Sequence, residues 1–360
     1  MSQHADDHGH DHPSFLAHHF DDPQQQFDSG KLGIWLFLVT EVLFFSGMFC
    51  AYALYRARNP EVFTFASQFL NTSLGAFNTG VLLFSSLTMA WGVRCAQLRQ
   101  RGGLVLCLAI TLCCASLFLG VKAVEYSHKW DIGLLPAKAY QSQYLQAAEH
   151  HAWEPLKALS GQVPMDWLTI LCIVPGIISI GLIIWTVRCF VGGDRRLKEV
   201  STSLALTGLS FFLGVGVGRV FEDSASHAHD SHGSEHVESV DGAHANASLE
   251  SGHHPDVHYV AASKGSDPKD KGHSSLGEPD VESIDQKGGA GLFFSIYYCM
   301  TGVHAIHIIG GMIVLAWLLV RASKDVFHEQ YFGPVDYVGL YWHLVDLIWI
   351  YLFPLLYLIR

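Results

Sequence analysis

The chain has 360 residues, half of them apolar, with eight cysteines and a formal charge of −11, and its mean hydropathy is positive. That balance excludes an ordinary soluble domain, and the acidic excess excludes nucleic-acid binding, which needs a clustered basic face. The acidity is also uneven: residues 1–30 and Glu222–Asp285 hold twenty of the 33 acids, and the remainder has nineteen bases against thirteen acids.

Residues 1–30 read as a polar, acidic tail with His8, His10 and His12, and no cleavable signal pattern is visible there. Seven charge-poor windows follow, each near the ~20 residues a helix needs to cross a bilayer core. They run from about Leu32–Tyr55, Leu74–Val93, Leu104–Val124, Trp167–Val187, Ser201–Phe221, Leu292–Val320 and Val338–Ile359. None alternates as the ~10-residue strands of a membrane barrel would. The fold class is therefore all-α, a polytopic transmembrane helical bundle.

Between the windows the organisation is as follows. Residues 31–126 hold the first three spans, and 127–166 form an extracytoplasmic segment with a surface helix around Tyr140–Leu159. Residues 167–221 are a transmembrane hairpin, and 289–360 hold the last two spans. Residues 222–288 are rich in Ser, Gly, His and acids with little to bury, so the composition predicts disorder. Their histidines, among them His227, His229, His232, His236, His253 and His254, read as a flexible solubilising linker rather than a metal buffer, because no apolar framework holds ligands in fixed geometry.

Short loops set orientation through Lys and Arg. Those after spans two, four and six carry Arg94, Arg99, Arg101, Arg188, Arg195, Arg196, Lys198, Arg321 and Lys324, against Arg56 and Arg58 on the other side. The N-terminus is expected in the cytoplasm, with the His-rich loop and C-terminus outside.

Ionisable groups inside a span cost ~2.5–3.5 kcal/mol at the helix centre on insertion scales, so those retained face protein. Glu41 lies mid-span, and either hydrogen-bonds a neighbouring helix for structure or handles protons. His304 and His307 are spaced i, i+3 on one helix face; interhelical hydrogen bonding explains them better than a metal, which needs further ligands. His343 and Asp346 repeat that spacing in the last span. Glu125, with Lys122 one turn earlier, is expected as an interfacial ion pair with snorkelling side chains. Gly214 and Gly218 give a small-xxx-small packing stripe. No Cys-x-x-Cys, haem-attachment or dinuclear-copper pattern occurs, and the cysteines read as small apolar residues.

Five segments in order resemble one family. Lys31–Tyr52 (KLGIWLFLVTEVLFFSGMFCAY), Asn78–Trp91 (NTGVLLFSSLTMAW), Gly120–Tyr126 (GVKAVEY), Phe293–Gly311 and Tyr341–Leu352 (YWHLVDLIWIYL) are similar to subunit III of haem–copper oxidases. The resemblance implies a non-catalytic subunit without a metal or redox cofactor, with haem and copper in its partners and structural phospholipid in a cleft. Its expected partners are subunit I directly, subunit II and the other oxidase subunits, and membrane lipid. Its role would be to support oxygen reduction to water through proton uptake, oxygen access and protection from turnover inactivation. Glu41 matches the family's buried glutamate, and His304, His307, His343 and Asp346 match its His-x-x-His and Trp-His-x-x-Asp signatures.

The chain departs from the family in one respect. The family has a five-span form and a seven-span form with two extra N-terminal helices. Here two spans and the acidic loop lie instead across Ser127–Lys287, and the hairpin Trp167–Phe221 is expected outside the five-helix core. An accessory subunit of nitric oxide reduction and, from another class, a metal-ion transporter with a His-rich loop are the alternatives.

Overall fold

The computed structural model describes residues 17, 20–131, 133–136, 167–192, 195–233 and 289–358. They form eight helices, with no β-strand among the described residues: α1 (Pro23–Arg58), α2 (Pro60–Ser67), α3 (Thr72–Gln97), α4 (Arg101–Asp131), α5 (Trp167–Gly192), α6 (Arg195–Gly233), α7 (Gly289–Ser323) and α8 (Gly333–Phe353). A π-helical turn, Pro354–Leu358, continues α8. All except α2 are long and apolar enough to cross a membrane.

Local chemistry moves several boundaries. Helix α1 begins inside the expected tail, because Asp22 accepts a hydrogen bond from the Gln25 N–H at 2.7 Å and Pro23 takes the first helical position. The short helix α2 was not expected. Asn59 closes α1 by donating its N–H to the Tyr55 carbonyl, and Pro60 starts α2 immediately. Phe63 of α2 then packs edge-on to Phe293 at 5.3 Å. Helix α6 runs past Phe221 to Gly233, so the first part of the segment expected to be disordered is helical. The rest of that segment and the surface helix around Tyr140–Leu159 lie outside the described residues. So do His8, His10, His12, His236, His253 and His254.

Helix α8 lies at the centre of the core, against α1, α3 and α7. Its two fully buried tryptophans are fastened to α3, with the Trp342 indole N–H donating to Ser85 Oγ at 2.8 Å and Trp349 to Thr79 Oγ1 at 3.1 Å. Such bonds matter between membrane helices, where lipid tails are as apolar as leucine and side-chain burial gives little drive.

Helix α4 carries α3 and α7 on one side and the hairpin α5–α6 on the other. The α4–α6 contact is made at backbone level. A Cβ added at Gly120 would collide with the Phe211 carbonyl oxygen, and one at Gly214 with the Leu117 carbonyl oxygen. Gly218 fits against the Val124 side chain. Arg101 pairs with Glu199 at 2.6 Å at one end of the crossing, and His128 lies 3.5 Å from Glu222 at the other. The hairpin is thus seated on the outside of the core, and α1 and α7 meet each other directly through Glu41 and His307.

Candidate functional site

Glu41 stands ten residues beyond Lys31 on α1, and Lys31 is 3.6 Å from Asp336 near the start of α8. At 1.5 Å per residue the carboxyl lies about 15 Å along the helix from that pair, near mid-bilayer. Its Oε2 is 3.0 Å from Nε2 of His307 on α7, and both side chains are about four-fifths shielded.

The opposite ring nitrogen fixes the chemistry. His307 Nδ1 lies 2.8 Å from the Val303 carbonyl oxygen, which can only accept, so Nδ1 carries a hydrogen. One remaining proton is shared between Glu41 Oε2 and His307 Nε2. The pair is neutral overall whichever atom holds it. Phe45 closes over the imidazole edge-on at 5.1 Å, and the Tyr341 hydroxyl donates to the His307 carbonyl at 3.0 Å.

His304, three residues away, does not join this pair. It is fully buried between Phe118 of α4, at 5.7 Å, and Trp349 of α8, at 5.3 Å, and neither ring nitrogen has a hydrogen bond. Positions i and i+3 are about 60° apart around a helix, and here α4 and α8 receive one imidazole while α1 receives the other. The two histidines expected on one face therefore serve different neighbours. Among the described residues, no three His, Cys, Asp or Glu side chains converge as a metal-ligand set.

Near the opposite membrane face the expectation for Glu125 is corrected. The expected Lys122–Glu125 ion pair is present, but its side chains do not snorkel to solvent: Glu125 is 1% exposed, and Lys122 and Lys129 are buried with it. Lys122 Nζ is 2.7 Å from Oε2 and Lys129 Nζ is 3.0 Å from Oε1. The hydroxyls of Tyr297 and Tyr357 donate to Oε1 at 2.7 and 2.5 Å, and Lys122 donates to the Tyr357 oxygen at 2.6 Å. The Lys122 ammonium also lies 4.6 Å from the Trp349 ring centre. Aromatic faces from α7 and α8 take the place of water around two cations that share one carboxylate.

The third cluster joins α3 and α8. His343 Nδ1 is 2.6 Å from Ser86 Oγ. Asp346, one turn further on the same face, is 2% exposed, and neither carboxyl oxygen has a hydrogen bond of ordinary geometry. Lys129, Tyr297, Tyr357 and Ser86 were not singled out from sequence. The first had a signal: Lys122, Glu125 and Lys129 fall at i, i+3 and i+7 on one helical face.

The sequence profile of the family described as cytochrome c oxidase subunit III matches residues 14–152 and 287–359, leaving the hairpin and the acidic loop unmatched. A "Probable cytochrome c oxidase subunit 3" of Nocardia farcinica is 39% identical over 66 residues, 18% of this chain and 32% of that protein. One of Mycobacterium tuberculosis is 41% identical over the same length and shares. A "Heme-copper oxidase subunit I+III" of Aeropyrum pernix is 38% identical over 71 residues, 19% of this chain and 9% of that protein. The chain spans about a third of the length of the first of these curated relatives.

Proposed function

The chain belongs to the cytochrome c oxidase subunit III family, and from that premise we propose that it is the cofactor-free third subunit of a proton-pumping haem–copper terminal oxidase. The complex reduces oxygen to water with electrons from cytochrome c or a quinol. Haem and copper belong to its partners, and phospholipid fills grooves of this subunit. Direct contact with subunit I is supported by the relative whose name joins subunits I and III in one chain. The nine Lys and Arg residues at the helix ends and connections on one side support a cytoplasmic N-terminus in a bacterial plasma membrane. The relatives' names speak for oxidases rather than for nitric oxide reduction or metal transport.

The observation that carries the role is the Glu41–His307 pair. It is a hydrogen-bonded carboxyl–imidazole pair at mid-membrane depth, with about a fifth of each side chain exposed and so within reach of a partner or of water. A group of that kind supports another subunit's chemistry without performing any.

Glu41→Gln tests it. The amide keeps a hydrogen bond to His307 but cannot release a proton, so the purified oxidase should assemble with its normal haem absorbance. Turnover-dependent inactivation or proton uptake should change by less than about tenfold, under ~1.4 kcal/mol. A normally assembled Glu41→Gln oxidase that no longer reduces oxygen would place this chain in the catalytic machinery and overturn the accessory role.

A further inference from the structure

We propose that the end of the α5–α6 hairpin nearest its turn binds the phosphate of an anionic phospholipid through Arg188. The family profile leaves the hairpin unmatched, so the site is this chain's own. Only the choice of leaflet, the cytoplasmic one, rests on the orientation proposed above.

Space, charge and depth carry it. A cavity of ≈ 390 Å³ is lined by Trp185, Arg188, Cys189 and Gly192 of α5 and by Leu197 of α6. That volume falls within the range of small-molecule sites. The four α5 residues fall at i, i+3, i+4 and i+7, on one helical face. A Cβ added at Gly192 would meet nothing within 4 Å, so the glycine leaves this part of the cavity open.

From Arg188 to Glu199 the sequence has four bases and two acids. One acid, Glu199, is already engaged: Arg101 of α4 lies 2.6 Å from one of its oxygens and Arg195 lies 3.4 Å from the other. The other, Asp194, lies outside the described residues. The Lys198 ammonium sits 5.4 Å from the centre of the Phe190 ring. Among the described residues no carboxylate pairs with Arg188. Its guanidinium is a planar fork of N–H donors, the geometry that grips two phosphate oxygens at once.

Tryptophans favour the membrane–water interface. Trp167 and Trp185 stand 18 residues apart on α5, ~27 Å at 1.5 Å per residue and close to the ~30 Å of a hydrocarbon core. Arg188, one turn beyond Trp185, is then level with the headgroup phosphates. Beside it Ile180, Ile184, Val187 and Val191 form an exposed apolar stripe on α5, along which acyl chains of the same molecule can lie. Free phosphate would leave that stripe unused. A zwitterionic lipid would bring an ammonium toward Arg196 and Lys198, which repel it.

The test is native mass spectrometry of the full chain, or of the oxidase that holds it, stripped of lipid in detergent and titrated with phosphatidylglycerol or phosphatidylcholine. Arg188→Gln should weaken retention of one phosphatidylglycerol about tenfold or more, the loss of a charge-assisted contact. Gly192→Leu fills the cavity without touching the charge and should do the same. Both variants should unfold thermally like the parent, since Arg188 has no carboxylate partner and Gly192 faces open space. Gly192→Leu binding like the parent overturns the proposal, because the attraction is then general charge. So does phosphatidylcholine binding as tightly, or inorganic phosphate displacing the lipid, the mark of a free-anion site. A Gly192→Leu oxidase that keeps its lipid but sheds another subunit also overturns it, in favour of a protein occupant. Binding in detergent is blind to leaflet, and oxidase membership is read by haem absorbance co-purifying with the chain, so each reading can fail without the others.

Discussion

Replacing Glu125 by Gln is expected to destabilise the bundle by about 3–5 kcal/mol, because it leaves two buried ammonium groups without a counter-charge. The carboxylate is the single acceptor on which Lys122, Lys129, Tyr297 and Tyr357 converge. An amide offers one weaker oxygen and adds N–H donors that face cations. The loss should appear as reduced recovery of folded chain from detergent extracts and as earlier thermal unfolding. Adding Lys122→Met and Lys129→Met to the same chain should recover most of it, since exchanging a whole buried ion cluster for apolar groups is often near neutral. If Glu125→Gln alone melts like the parent, water reaches the cluster and its shielding is not real. The contrast with Glu41→Gln is itself diagnostic: one carboxyl neutralises two fixed cations, the other only shares a proton.

A side chain at Gly214 should have the next largest effect. Its Cβ would meet the backbone of Leu117, which cannot swing aside as a side-chain tip could. Gly214→Leu should cost about 1–3 kcal/mol or more, as over-packing does in tight cores, and should lift α6 from α4. The displacement can be read locally. Cys113 Sγ and Thr207 Oγ1 are 3.9 Å apart across this contact, so Thr207→Cys should cross-link readily to Cys113 under mild oxidation. Adding Gly214→Leu should abolish that cross-link while the rest of the chain still extracts as a folded bundle. Persistent cross-linking would mean that α6 is held by Arg101–Glu199 and its outer end, with the glycine stripe dispensable.

The spans were legible because a run of ~20 apolar residues has only one economical form in lipid. The family was legible because its intramembrane charges recur in order: Glu41, then His304 and His307, then His343 and Asp346. What sequence could not give was pairing. Spacing put His304 and His307 on one face, yet the choice of α1 for one and of α4 and α8 for the other depends on how three helices surround α7. The burial of the Lys122–Glu125 pair was missed for a related reason. Its position near a span end suggested water, whereas Tyr297 and Tyr357, distant in sequence, cover it. Helix α2 escaped notice because eight residues between two spans fall below any window long enough to detect a membrane helix.

The π-helical turn after α8 has a consequence for the order of assembly in the growing chain. Tyr357 completes the Glu125 cluster, Leu355 accepts the Tyr52 hydroxyl, and Thr72 donates to the Tyr357 carbonyl at 3.3 Å. These contacts tie α8 and its turn to α1, α3 and α4, which leave the ribosome before it. The hairpin, by contrast, can settle on α4 as soon as it is made, since its partner is already in place. Until that turn arrives, two lysines and a glutamate on α4 lack part of their cover. The charges are therefore sealed in only once α8 and the turn that follows it have been made.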